Sequence, residues 1–179
     1  MLIKIKHRFN GSVLFSHDCE ENSLKITLEM AIKASANLRY ANLRYADLSY
    51  ANLRCANLSY ANLSYADLSY ANLSYANLSY ANLSSANLSY ANLSSANLLG
   101  EKLTKSPLQF YGLVWDVLVT DGFLTIGCQR HTHEDWANFN DDQIRKMDFC
   151  ARLFWKSWKE PLLMMCKNHA KGIKENETT

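Results

Sequence analysis

Between residues 36 and 100 the apolar positions recur every five residues. Each unit reads Ala, then Asn or Asp, then Leu, then in most copies Ser or Arg followed by Tyr. On an α-helix five residues advance roughly 500°, leaving successive leucines about 140° apart, so Leu38, Leu43, Leu48 and Leu53 would spiral around the axis without forming a stripe. On a flat strand an odd period changes face at every unit, and half of the leucines would meet water. The pattern instead fits a chain that turns a corner once per unit, with Leu and the Ala two residues before it pointing inward. The inward leucines are Leu38, Leu43, Leu48, Leu53, Leu58, Leu63, Leu68, Leu73, Leu78, Leu83, Leu88, Leu93 and Leu98. Three corners per turn or four would serve equally well.

The flanks carry other periods. Ile3, Ile5 and Phe9 alternate with Lys4, Lys6 and Arg8, Asn10-Gly11 is a type I′ turn pair, and Val13 to Phe15 return, which predicts a hairpin. Ser23 stands as a cap before Leu24 to Ala34, where Leu24, Leu28, Ala31 and Ile32 share one helical face. An open end of a coiled chain exposes unpaired backbone, so this hairpin and helix are predicted to cover the first coil. Beyond Gly100, Leu103 extends the repeat register into Glu101 to Lys105, and Pro107 interrupts it. A second hairpin is predicted around Asp121-Gly122, pairing Val119 with Leu124, Val117 with Ile126 and Trp115 with Cys128, which makes Cys128 a core thiol. A helix starting at Asp141-Asp142 aligns Ile144, Met147, Ala151, Phe154 and Trp158, widened by Phe149, Cys150 and Trp155. Pro161 then fits the first turn of a following helix, and Gly172 to Thr179 read as a frayed polar tail. The divisions are 1–35 (hairpin and capping helix), 36–105 (repeats), 106–172 (hairpin and helices) and 173–179 (tail).

The units Ala-Asn-Leu-Ser-Tyr and Ala-Asp-Leu-Ser-Tyr resemble the pentapeptide-repeat family. The resemblance implies a mainly β fold, a right-handed quadrilateral β-helix (solenoid) with four units per coil and about three to four coils. Residues twenty apart then stack about 4.8 Å apart. One face carries Tyr40, Tyr60 and Tyr80, the next Tyr45 and Tyr65, the third Tyr50, Tyr70 and Tyr90, and the fourth Cys55 and Tyr75. Such columns either stiffen the corners or form an aromatic interaction surface, for which Tyr50, Tyr70 and Tyr90 are the candidates together with Trp155 and Trp158 on the carboxy-terminal helices. The resemblance also implies a homodimer through those helices.

Composition narrows the function. Five cysteines at irregular spacings argue against a disulfide framework and for a reducing, cytoplasmic setting. A net charge of +2 without blocks of like charge suggests neither a nucleic-acid nor a membrane partner. Some pentapeptide-repeat proteins imitate duplex DNA and bind DNA gyrase. A rod of roughly 16 Å would need about nine or ten negative charges for that, whereas the repeats hold Asp47 and Asp67 against Arg39, Arg44 and Arg54. DNA mimicry is disfavoured.

Candidate chemistry is confined to the last third. Cys128, His131 and His133 have zinc-ligand chemistry, but along one strand Cys128 and His131 point to opposite faces, so no metal is expected. Thr132 is better read as the cap of a short helical turn through Asp135 and Trp136. No nucleophile signature or phosphate loop accompanies the histidines, so neither an enzyme nor a cofactor is expected. The resulting expectation is a non-enzymatic binding protein whose protein partner is not readable. By analogy with bacterial and phage members of the family it would be a host-directed inhibitor or anti-defence factor. The alternative is a small-ligand binder with a pocket lined by Tyr111, Trp115, Arg130, His131, His133 and Trp136.

Overall fold

The computed structural model describes residues 1–110, 113–148 and 150–174, the last four as backbone only. It divides into two compact units, Met1–Ser106 and Pro107–Thr179.

Unit 1 opens with antiparallel strands β1 (Leu2–Lys6) and β2 (Val13–Asp18), followed by helix α1 (Leu24–Lys33). The Ser23 hydroxyl accepts from the Ile26 N–H at 3.1 Å, so the predicted cap is in place, and Thr27, Leu28 and Ala31 form the buried face of α1. The tight turn expected at Asn10-Gly11 is not formed. Lys6 pairs with Val13, which leaves residues 7–12 as a longer loop. The chain after β1 bonds to the repeats instead: His7 bridges Ala41, the Arg8 N–H donates to Tyr40 O at 2.8 Å, and the Asn42 N–H donates to Lys6 O at 2.8 Å. From α1, Glu29 Oε1 accepts the Asn52 N–H at 2.7 Å and Lys25 Nζ donates to Ser49 O at 3.1 Å. Hairpin and helix thus satisfy edge groups of the first coil, in the role the sequence assigns them.

The repeats form a β-helix-type fold. Parallel bridges join residues twenty apart, from Asn42 with Asn62 and Asp47 with Asp67 through to Asn77 with Asn97, so the chain returns to the same edge after every four units. Each unit contributes the same bonds: the Asn62 N–H donates to Ala41 O at 2.8 Å, the Leu43 N–H to Asn62 O at 2.8 Å, and the Tyr40 N–H to Ser59 O at 3.1 Å. At each corner an Ala N–H closes onto the Leu carbonyl three residues back, as from Ala41 to Leu38 at 3.1 Å. The residue before that Ala lies at φ between 55° and 60° in every unit from Tyr40 to Ser95. A closed turn with positive φ at its third position is type II, a place where Gly is the usual occupant. From Asn37 to Asn92 the Asn or Asp of each unit braces the corner by accepting the N–H two residues on, as Asp47 Oδ1 does from Ser49 at 3.0 Å, whereas Asn97 Oδ1 in the last unit makes no such bond.

Twelve of the thirteen inward leucines are buried; Leu83 is half-buried. The parallel register also stops earlier than expected. In the sheet of β3 (Asn77–Leu78), β4 (Asn97–Leu98) and β5 (Glu101–Lys102), β5 runs antiparallel to β4, so Lys102 pairs with Asn97 and not with Asn82, twenty residues before it. Left-handed Leu99 (φ 52°) and Gly100 (φ 85°) make this reversal. Leu103 is buried all the same.

Unit 2 holds a four-stranded antiparallel meander where a hairpin was expected. It runs β6 (Leu108–Phe110), β7 (Val117–Val119), β8 (Phe123–Ile126) and β9 (Gln129–Thr132), followed by helices α2 (His133–Asn138), α3 (Asp141–Met147) and α4 (Ala151–Lys174). Val119 faces Leu124 and Val117 faces Ile126, as the Asp121-Gly122 turn predicts. Cys128 is not in the core. Gly127, at φ 57°, turns the chain into β9, so Cys128 sits at that turn and is exposed. The helix expected from Asp141 to Trp158 is broken at Asp148, whose backbone is extended and whose Oδ1 accepts the Cys150 N–H at 2.9 Å. Pro161 starts no new helix and lies inside α4, where Phe154 and Trp155 before it and Leu162 and Cys166 after it are all buried in the same core. That packing offsets the hydrogen bond that proline removes. α4 runs on through Lys174, so residues 172–174 are helical where a frayed tail was expected. Phe149, expected in the helical stripe, and residues 175–179 of the expected tail lie outside the described residues.

Candidate functional site: tyrosine columns and an aromatic cavity

The corner geometry places the fifth residue of each unit outside. Tyr40 stacks with Tyr60 at 4.9 Å between ring centroids, Tyr60 with Tyr80 at 4.9 Å, Tyr45 with Tyr65 at 5.1 Å, Tyr50 with Tyr70 at 4.8 Å and Tyr70 with Tyr90 at 4.8 Å. These spacings equal the separation of paired strands. The ladder bonds set the stack; the rings follow.

Arginine distinguishes the columns. Arg39 lies over Tyr40 and Tyr60 at 5.7 and 5.2 Å, Arg44 over Tyr45 and Tyr65 at 4.5 and 5.4 Å, and Arg54 over Tyr75 at 4.9 Å. Tyr50, Tyr70 and Tyr90 have no such cover among the described residues, and they are 69%, 48% and 80% exposed. Their face carries Asp47 and Asp67. Hydrogen bonds from Ser49 hold the Asp47 carboxyl below the usual carboxylate range, and Asp67 accepts from Asn87 Nδ2 at 3.1 Å.

The expected helical contact residues fare differently. Trp155 is 5% exposed and belongs to the core of unit 2, so it is withdrawn from any contact surface. Trp158 is half-buried and stacks on Phe154 at 6.3 Å. Among the described residues, the large apolar side chains that α4 does expose are Leu153 and Met164.

Of the residues expected to line a pocket, Trp115 and Trp136 do line a cavity of about 100 Å³ in unit 2. Arg130, His131 and His133 are not in its wall. Arg130 lies 3.7 Å above the Phe123 ring, because its strand partner Thr125 puts it beside β8. His131 meets Trp136 and Phe139 edge-to-face at 5.5 and 4.9 Å, and His133 begins α2. Tyr111 lies outside the described residues. The walls missed by the sequence are the β8–β9 turn from Ile126 to Gln129, together with Ile144, Met147, Asp148, Ala151, Phe154 and Trp155, most of which carry the three-four spacing of a core stripe.

Cys128, His131 and His133 do not converge, and among the described residues no group of three His, Cys, Asp or Glu side chains could hold a metal ion. Thr132 and Asp135 instead make a reciprocal capping box, with the Asp135 N–H donating to Thr132 Oγ1 at 3.0 Å. Hydrogen bonds from Thr132 lower the Asp135 carboxyl below its ordinary value. Cys166, buried on α4, is pushed up to about 11 by desolvation. His169 lies 3.4 Å from Asp121, tying α4 to the β7–β8 turn. Among the described residues no helix is long and apolar enough to cross a membrane.

The family model for pentapeptide repeats matches eight copies, over residues 36–70 and 66–100. Among solved structures, HetL, a pentapeptide repeat protein involved in heterocyst differentiation regulation from the cyanobacterium Nostoc sp. strain PCC 7120, is 34% identical. That match covers 36% of this chain and 42% of HetL, with a TM-score of 0.20. No curated protein matches. With an unbroken five-residue period, bridges between residues twenty apart and the family match over the same residues, residues 36–100 are a run of pentapeptide repeats.

Proposed function

We propose that this is a non-enzymatic interaction protein. In this reading a right-handed quadrilateral β-helix of about three to four coils is a rigid scaffold, and its Tyr50, Tyr70 and Tyr90 column is the face offered to a protein partner. The observation that carries it is the contrast between columns: this one, with its rings stacked nearly parallel (2° and 14° between successive planes), is free of arginine cover among the described residues, whereas the others carry an arginine. Pre-stacked rings lose little conformational entropy on contact, and tyrosine joins apolar area to a hydroxyl, which suits an interface centre. The partner would be a protein of a host, bound by an inhibitory or anti-defence factor of the bacterial or phage kind. The unpaired cysteines fit a cytoplasmic setting. Imitation of DNA at gyrase has two carboxylates in the repeats to draw on and is the weaker reading.

The test is affinity capture from host lysate with the full chain, a Tyr50→Ser/Tyr70→Ser/Tyr90→Ser variant, and a Tyr40→Ser/Tyr60→Ser/Tyr80→Ser variant, each checked for an intact β signal by circular dichroism. Loss of the captured protein with the first variant alone supports the reading; retention by both sinks it. Exposed Leu153 and Met164 on α4 supply apolar contact for a second copy, so we also propose a homodimer through unit 2. Light scattering at micromolar concentration that returns a monomer rejects it.

A further inference from the structure

The cavity of unit 2 plays no part in the reading above, and its chemistry is specific. Trp115, Trp136, Phe154 and Trp155 wall it, including three of the chain's four tryptophans. The rings are steeply inclined to one another: Trp115 and Phe154 at 75° with centroids 5.0 Å apart, Trp136 and Trp155 at 42° and 4.9 Å. Inclined rings make a box; parallel ones would make a slot. Trp136 is fixed by its indole N–H, which donates to Leu124 O at 2.7 Å. Of the described lining residues one is charged, Asp148 at the exposed rim, and its side chain is oriented by the Cys150 N–H.

A water molecule finds few polar partners in such a cavity, and an anion meets both ring faces and a carboxylate. A neutral apolar guest gains burial alone. A weakly hydrated cation gains burial, the ring quadrupoles and Asp148 together. One of these rings already meets a cation within the chain, since Lys159 Nζ lies 5.9 Å from the Trp155 centroid. A volume of about 100 Å³ suits one compact group. We propose that this cavity is an aromatic cage for the quaternary ammonium group of a small soluble molecule, a binding activity separate from the tyrosine column and independent of it.

The experiment titrates the full chain with choline chloride, reading tryptophan fluorescence against matched sodium chloride. Its comparisons are 3,3-dimethylbutanol, the neutral isostere, and ethanolamine, a strongly hydrated primary ammonium. Saturable choline binding is expected, tighter than either comparison by about fivefold to tenfold. Asp148→Asn, which keeps an oxygen for the Cys150 N–H, should weaken choline severalfold and leave the isostere unchanged. Trp115→Leu should weaken choline in the same way while retaining an apolar wall. Because Asp148 is exposed, its variant remains informative even where Trp115→Leu lowers the melting temperature. Absence of choline binding, equal binding of the isostere, or an unaltered choline affinity in Asp148→Asn overturns the proposal. So does co-sedimentation with phosphatidylcholine vesicles in the absence of soluble choline binding, since that would make the ligand a membrane.

Discussion

Replacing Ser85 by glycine should stabilise the protein. Ser85 occupies the third position of its corner at φ 55°, in a column where Tyr45 and Tyr65 stand below it. It is exposed, and its hydroxyl makes no hydrogen bond among the described residues, so the side chain contributes little beyond its Cβ. That Cβ is the source of strain, because an L-residue held in the left-handed region costs about 1–2 kcal/mol. Glycine removes this cost and adds an unfolded-state entropy penalty of about 0.4–1 kcal/mol. The difference leaves Ser85→Gly more stable by about 0.5–1 kcal/mol. Ser85→Ala retains the Cβ and should be nearly neutral. Glycine above alanine inverts the usual order for a regular element.

Urea unfolding followed by circular dichroism separates the two variants. With a slope of about 2 kcal/mol per molar, the glycine midpoint should lie about 0.3–0.5 M above the alanine midpoint. The internal control is Ala71→Gly, an inward position without positive φ, where the ordinary order holds and stability should fall. A Ser85→Gly midpoint at or below that of Ser85→Ala would refute the left-handed corner as a strained conformation.

Three further outcomes follow from the same geometry. Leu68→Ala, at a fully buried inward site, should cost about 2–5 kcal/mol, and Leu83→Ala, at the half-buried one, clearly less; equal midpoint losses in urea would contradict the burial pattern. In a thiol-reagent titration at neutral pH, Cys55, Cys128 and Cys150 should react rapidly in the folded protein and Cys166 only on unfolding, since burial raises its pKa to about 11 and thiolate is the reactive form. The Asp135 carboxyl is lowered in the folded state, so its contribution to α2 is present above the ordinary carboxylate range and is lost as pH falls through the folded value. Acid melts of Asp135→Asn should therefore depend less on pH than those of the parent, and identical profiles would remove Asp135 from the capping box.

The period of five could be read from sequence because inward Ala and Leu are almost invariant in type, and the tyrosine columns followed once four units per coil were assumed. The left-handed corners could not. Positive φ is ordinarily announced by Gly or Asn, whereas here it falls on Tyr, Ser and Cys, held by ladder bonds such as Tyr40 N–H to Ser59 O. In unit 2 the Asp121-Gly122 turn fixed the pairing of Val119 with Leu124 in advance. Gly127 sent Cys128 outward because a single glycine inside an apparent strand does not declare whether the chain bends there. The break at Asp148 was hidden for a related reason: the apolar stripe continues across it, and periodicity registers faces but not a side-chain oxygen capping the next helix. The cavity was missed on similar grounds. Ile144, Met147, Ala151 and Phe154 identify a buried face, yet the pattern is silent on whether that face packs to full density.

The regularity of the repeats decides where individuality can reside. Every coil is built from backbone ladders, inward Ala and Leu, and an Asn or Asp bracing its corner, so these positions are committed to the scaffold. Outward variation falls on the fourth and fifth residues of each unit and on the choice of Asn or Asp at the second, and there the departures are few. Arg39, Arg44 and Arg54 place a cation on three faces of the first coil, while Ser49 occupies the same position on the remaining one. Cation and ring on one face partly satisfy each other, which lowers what a partner gains by covering them. The remaining face offers rings without a covering cation beside Asp47 and Asp67, where the Ser49 hydrogen bonds hold the Asp47 carboxyl below the usual carboxylate range and Lys25 of α1 approaches at Ser49. A complementary surface would therefore present apolar groups flanked by donors or basic side chains. Asp47→Asn and Asp67→Asn should slow association of such a partner and weaken its dependence on salt.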